Sequence, residues 1–94
     1  MRVTLHGAVA ISGLLLAQAV FAQSGEATVK AKCLGCHSEN ATKVGPSLKA
    51  ISAKYRDDKA AEAHLVEMLK DPKGHPRIAA TDAELKAAIE YVLR

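Results

Sequence analysis

Both cysteines of the chain fall within one five-residue stretch, Cys33-Leu34-Gly35-Cys36-His37. Two thiols three positions apart, followed at once by an imidazole, gather three reactive, metal-binding groups on about one turn of backbone. The rest of the chain is poorly equipped to fold without what they hold. It has 94 residues, no Trp, one Phe and two Tyr. One small domain is the ceiling, which excludes a barrel, a doubly wound sheet or an immunoglobulin sandwich. A domain of this size rarely stabilises itself without a disulfide, a metal or a cofactor. Two cysteines cannot make a disulfide-dense scaffold. A chain that is 49% apolar and 24% charged is also no disordered polymer.

The first 22 residues read as a cleaved export signal (residues 1–22), with the working domain at 23–94. Met1 and Arg2 give a short positive start, Ala8 to Phe21 is apolar, and small residues close the run at Ala17-Gln18-Ala19 and Val20-Phe21-Ala22. Cleavage after Ala22 leaves a polar start at Gln23-Ser24-Gly25; cleavage after Ala19 is the alternative. The run holds Ser12, Gly13 and Gln18, and so falls short of the ~20 clean apolar residues that a membrane span prefers. Export points to an oxidising compartment, the periplasm, with no stable membrane insertion after cleavage. Without Arg2, 12 basic residues face 10 acidic ones. That balance lacks the concentrated basic face of a nucleic-acid binder.

The patterning is helical throughout. A helix from Ser24-Gly25-Glu26 to Cys33, capped by Ser24, precedes the cysteine motif. Ser47 caps a short helix with Leu48, Ile51 and Tyr55 on one face. A third helix is expected from about Lys59 to Lys70, with Ala61, Leu65, Met68 and Leu69 facing inward, and Asp71-Pro72 ends it. Thr81-Asp82-Ala83-Glu84 is a capping-box pattern. It opens a last helix striped by Leu85, Ala88, Ile89, Val92 and Leu93. The expected class is all-α, with about four helices.

C-x-x-C-H is the attachment pattern of a c-type haem. Two thiols at this spacing can each add to one vinyl group of the porphyrin. The residue that follows then sits under the iron, where His37 offers an imidazole nitrogen as axial ligand. A covalently held haem also supplies the apolar bulk that the sequence lacks. A thioredoxin-type redox pair wants a βαβ frame, which is missing. A structural zinc site wants four ligands, and the motif offers three.

With that motif in hand, the chain resembles the class I c-type cytochromes, the small single-haem proteins of the bacterial periplasm, over nearly all of residues 23–94. Val44-Gly45-Pro46-Ser47-Leu48 resembles the family's G-P-x-L turn, whose proline carbonyl accepts from the haem histidine; the resemblance gives Pro46 that role. Such a partner is needed in any case to fix the tautomer and aim of His37. Gly25, Val29 and Tyr91 match the places where the family's first and last helices cross. The resemblance implies a cytochrome c-like fold around one covalent haem c held by Cys33 and Cys36, with His37 as proximal iron ligand.

The chain departs from the family at the other axial position. The family usually presents a methionine from a proline-rich loop ahead of the last helix. Here that loop holds His75, where Gly74 lets the backbone turn and Pro76 restricts His75 to extended dihedrals. His75 is therefore the favoured distal ligand. Met68, on the third helix among apolar neighbours, is the alternative, and an open site is the third reading. His64 shares its helix with Lys59, Glu62 and Glu67 and reads as solvated. The expected function is that of a monomeric, diffusible one-electron carrier, not an enzyme, docking transiently with other redox proteins. Lys30, Lys32, Lys43, Lys49 and Lys73 lie near the motif or the ligand loop and are candidates for steering that docking. The alternatives are a five-coordinate haem protein that binds a small gas or peroxide, and a cytochrome subunit of a periplasmic oxidoreductase.

Overall fold

The computed structural model describes Gly7 and residues 25–94. The expected export segment, Gly7 apart, and the expected cap Ser24 lie outside the described residues. Four helices form, with no strand among the described residues: α1 (25–32), α2 (Leu48–Lys54), α3 (Ala61–Lys70) and α4 (Asp82–Val92). No helix among the described residues is long and apolar enough to cross a membrane. The all-α expectation is met.

The caps largely follow the sequence. The Ser47 hydroxyl accepts from Ala50 N–H at 3.0 Å and starts α2. The Thr81 hydroxyl accepts from Glu84 N–H at 3.2 Å and starts α4. The reciprocal carboxylate bond of a full capping box is not made among the described residues. Helix α3 begins at Ala61, later than the expected Lys59. The Asp58 side chain accepts from Ala60 N–H at 2.9 Å, and its carbonyl accepts from Ala61 N–H at 3.2 Å. Residues 59–60 are thereby held in a turn instead of opening the helix, because a short aspartate competes well for local backbone donors.

Helix α4 is the element that both halves of the core share. Leu65 and Leu69 of α3 bury against its Leu85 and Ile89. Val29 of α1 and Leu48 of α2 bury against its Ala88. These are small aliphatic clusters, and no aromatic side chain among the described residues is fully buried; Tyr55 and Tyr91 only pack at their edges. Met68 is half-buried against the α3–α4 cluster, with its side chain among Leu65, Leu69, Leu85 and Ile89. His64 is exposed.

The crossing of α1 and α4 depends on Gly25. A Cβ built there would lie 2.6 Å from the carbonyl oxygen of Ala87, which belongs to the α4 backbone and cannot swing aside. Gly25→Ala is expected to force the helices apart and to cost about 1–3 kcal/mol, the usual cost of overpacking. For a domain of this size that is a fall in melting temperature of roughly 4–8 °C per kcal/mol. Thermal and denaturant unfolding of the holoprotein read it directly; an unchanged midpoint would mean that the two backbones are not in contact there.

Candidate haem site

The site is built where α1 ends. The carbonyl of Val29 accepts from both Cys33 N–H (2.9 Å) and Leu34 N–H (3.2 Å), and the chain then tightens into a turn. The Cys33 carbonyl accepts from Cys36 N–H at 3.2 Å and from His37 N–H at 3.0 Å. This turn carries both thiols and the imidazole on consecutive backbone. Neither thiol is in a disulfide. Cys33 is half-buried beside Val29, Leu48 and Ala88, and that burial pushes its thiol above the ordinary value. Cys36 faces solvent.

The following loop folds back over the motif. Gly45 N–H donates to the Cys36 carbonyl at 2.8 Å, Leu48 N–H to Ser38 at 2.9 Å, and the Lys43 ammonium to the Leu34 carbonyl at 3.3 Å. These bonds lay Gly45 against the His37 ring. A Cβ at position 45 would sit 2.5 Å from Cε1 and 3.0 Å from Nδ1 of His37. Glycine is needed there for close approach, since no described glycine has positive φ. Beside it, His37 Nδ1 lies 2.6 Å from the Pro46 carbonyl oxygen. A carbonyl only accepts, so the ring carries its proton on Nδ1 and leaves the Nε2 lone pair free.

Across from this turn stands the loop between α3 and α4. Its base is tied down on both sides. Ile78 N–H donates to the Leu69 carbonyl at 3.0 Å, and the Lys70 ammonium reaches Asp82 at 3.2 Å. Asp71 accepts from Lys73 N–H at 3.2 Å. From this frame projects His75, half-buried, with Nδ1 2.7 Å from the Pro76 carbonyl oxygen. Its ring is within 9° of parallel to that of His37, with the centroids 6.1 Å apart.

That spacing fits a metal held between two imidazoles. An imidazole nitrogen binds a metal at about 2 Å and sits roughly 1 Å from its ring centre, so two rings trans to one another have centres roughly 6 Å apart. The donor set agrees: two free thiols, and two imidazoles whose Nδ1 atoms are already committed to carbonyls. The sequence singles out these same four side chains as candidates. It does not show the flush contact of Gly45 with His37 or the carbonyl of Pro76 as a partner for His75. Neither has a signature in the order of residues; the Gly-Pro and His-Pro pairs mark only that the backbone is special there. Of the lysines near the site, Lys30 pairs with Glu26 at 2.8 Å and Lys43 with the motif itself.

An all-α domain with these groups in this order has the layout of a small protein built around a covalent haem. The comparisons agree. The family model described as cytochrome c oxidase, cbb3-type, subunit III matches residues 21–92. Cytochrome c-551 of Pseudomonas aeruginosa is 33% identical over 90 residues, covering 87% of this chain and 86% of that protein. Cytochrome c-552 of Nitrosomonas europaea is 32% identical over 102 residues, covering 99% and 97%. Among solved structures, the class 1 cytochrome MtoD of Sideroxydans lithotrophicus ES-1 superposes with a TM-score of 0.62 at 25% identity, covering 76% of this chain and 91% of that one. The chain belongs to the class I c-type cytochromes, with their all-α fold and one covalently attached haem c.

Proposed function

We propose that this chain is a periplasmic, diffusible one-electron carrier whose iron is held between His37 and His75. The near-parallel pair of imidazoles, 6.1 Å apart, is the observation that carries the reading. Bound here, the haem supplies a ferric/ferrous couple. The work of the chain is to hold it still. Cys33 and Cys36 take the two thioether links. The Pro46 carbonyl fixes the tautomer of His37, a role that outer-sphere carbonyls commonly play at metal sites. The loop anchored by Ile78 and Lys70 holds His75 out from its frame. Nitrogen ligands from both His37 and His75 would hold the iron alike in both oxidation states, so little reorganisation would oppose transfer. They would also lower the potential relative to a histidine–methionine pair, whose thioether favours ferrous iron.

The outer surface suits brief encounters. Val44 is the one large apolar side chain that is exposed among the described residues, which is too little to anchor a permanent partner. Lys32, Lys49 and Lys73 are exposed and available to steer an acidic partner, an effect that ionic strength weakens.

Carbon monoxide separates this reading from a gas-binding one. The reduced holoprotein is expected to bind it negligibly at neutral pH, because His37 and His75 would both hold the iron. Fast stoichiometric binding defeats the carrier reading. The family match to an oxidase subunit favours a second reading, a cytochrome held within a larger oxidoreductase. Gel filtration of native extract tests it: the carrier elutes alone, a subunit elutes with its complex.

A further inference from the structure

The two histidines are held in the same way. His37 Nδ1 meets the carbonyl of Pro46 at 2.6 Å, and His75 Nδ1 meets the carbonyl of Pro76 at 2.7 Å. Each ring is therefore locked as the Nδ1–H tautomer, with Nε2 presented as a neutral lone pair. The proximal bond spans a loop, but the distal one closes within a single dipeptide. Its geometry is set by the two backbone angles that proline restricts, its own φ and the conformation of the residue before it. The rings stand 9° from parallel.

Resting on the bis-histidine reading, we propose that Pro76 is a positioning residue: its carbonyl, by receiving Nδ1–H of His75, sets the distal imidazole plane parallel to that of His37 and matches the two rings in donor strength. The physical consequence is electronic. Two parallel imidazoles donate π density into the same iron d orbital and split it from its partner. Crossed imidazoles act on both orbitals and leave them nearly degenerate. A hydrogen bond from Nδ1–H also makes the ring a more basic ligand, which favours the ferric state.

The test uses the holoprotein. A near-infrared magnetic circular dichroism spectrum identifies the axial ligands, and a frozen-solution EPR spectrum of the same ferric sample reports the angle between the rings. The expected result is a bis-imidazole spectrum with a well-resolved rhombic low-spin EPR signal. In Pro76→Gly, which frees both backbone angles, the rhombic signal should lose intensity to a single anisotropic low-field line, and the midpoint potential should rise. Pro76→Ala, which keeps more of the backbone preference, should fall between the two, and it carries the comparison if the glycine variant loses low-spin ligation. A bis-imidazole protein whose native EPR is the anisotropic line overturns the assignment of Pro76 and leaves the ligand reading standing, as do variants whose EPR and potential match the native ones. A thioether charge-transfer band instead sinks the ligand reading, and the assignment of Pro76 with it.

Discussion

His75→Ala is expected to turn the ferric holoprotein from low-spin to high-spin, and its reduced form from inert towards carbon monoxide to stoichiometric in binding it. The matching variant Met68→Leu should leave both properties as they are. The contrast follows from where the two side chains sit. His75 stands on the loop between α3 and α4 with its ring 9° from parallel to that of His37 and 6.1 Å away. Met68 is on α3, half-buried among Leu65, Leu69, Leu85 and Ile89. Reaching the iron would require its sulfur to leave that cluster and open a cavity behind it. Methionine and leucine have similar volumes, so Met68→Leu should cost less than about 1.5 kcal/mol in stability. Optical and EPR spectra of the two purified variants decide the matter. If Met68→Leu goes high-spin and His75→Ala does not, the methionine is the ligand. If both stay low-spin, neither is.

How much of this was legible in residue order differs from element to element. The cysteine motif announced its chemistry because spacing along one turn is fixed by backbone geometry, whatever surrounds it. Helices α2, α3 and α4 were legible because Leu48–Ile51, Leu65–Leu69 and Leu85–Ala88–Ile89 repeat at helical spacing, and the structure buries most of those residues. The start of α3 was misplaced because Asp58 holds the next two residues in a turn, a local competition that hydrophobic periodicity does not register. His75 stands out in the sequence by its neighbours Gly74 and Pro76 and by its place ahead of α4. Its relation to His37, 38 positions away in the chain, is tertiary. The same holds for Gly45, which reads as an ordinary turn glycine in sequence. Only the folded chain shows that the His37 ring occupies the space of its missing side chain.

The double variant Cys33→Ala/Cys36→Ala is expected to leave the exported polypeptide colourless and largely unfolded. The buried core of the described residues is mostly two aliphatic clusters joined by α4, and its largest fully buried side chains are Leu85 and Val29. A single core in a chain of this size seldom supplies more than about 3–5 kcal/mol. That margin is set against the conformational entropy of ordering the loop after Cys36 and the loop that holds His75, which carry little buried apolar surface of their own. The Cys33-to-His37 turn and the His75 loop approach each other across the site, yet their rings stay 6.1 Å apart. A haem linked to Cys33 and Cys36 would add apolar contact that neither loop supplies. Circular dichroism of the double variant should show most of the native helical signal lost and no cooperative thermal transition, while mass spectrometry shows the polypeptide mass with no added macrocycle. Each single variant retains one link and should fall between, coloured but less stable. A double variant that keeps native helicity and melts cooperatively would show that the four helices hold one another without the haem, and that the small aliphatic clusters are sufficient for the fold.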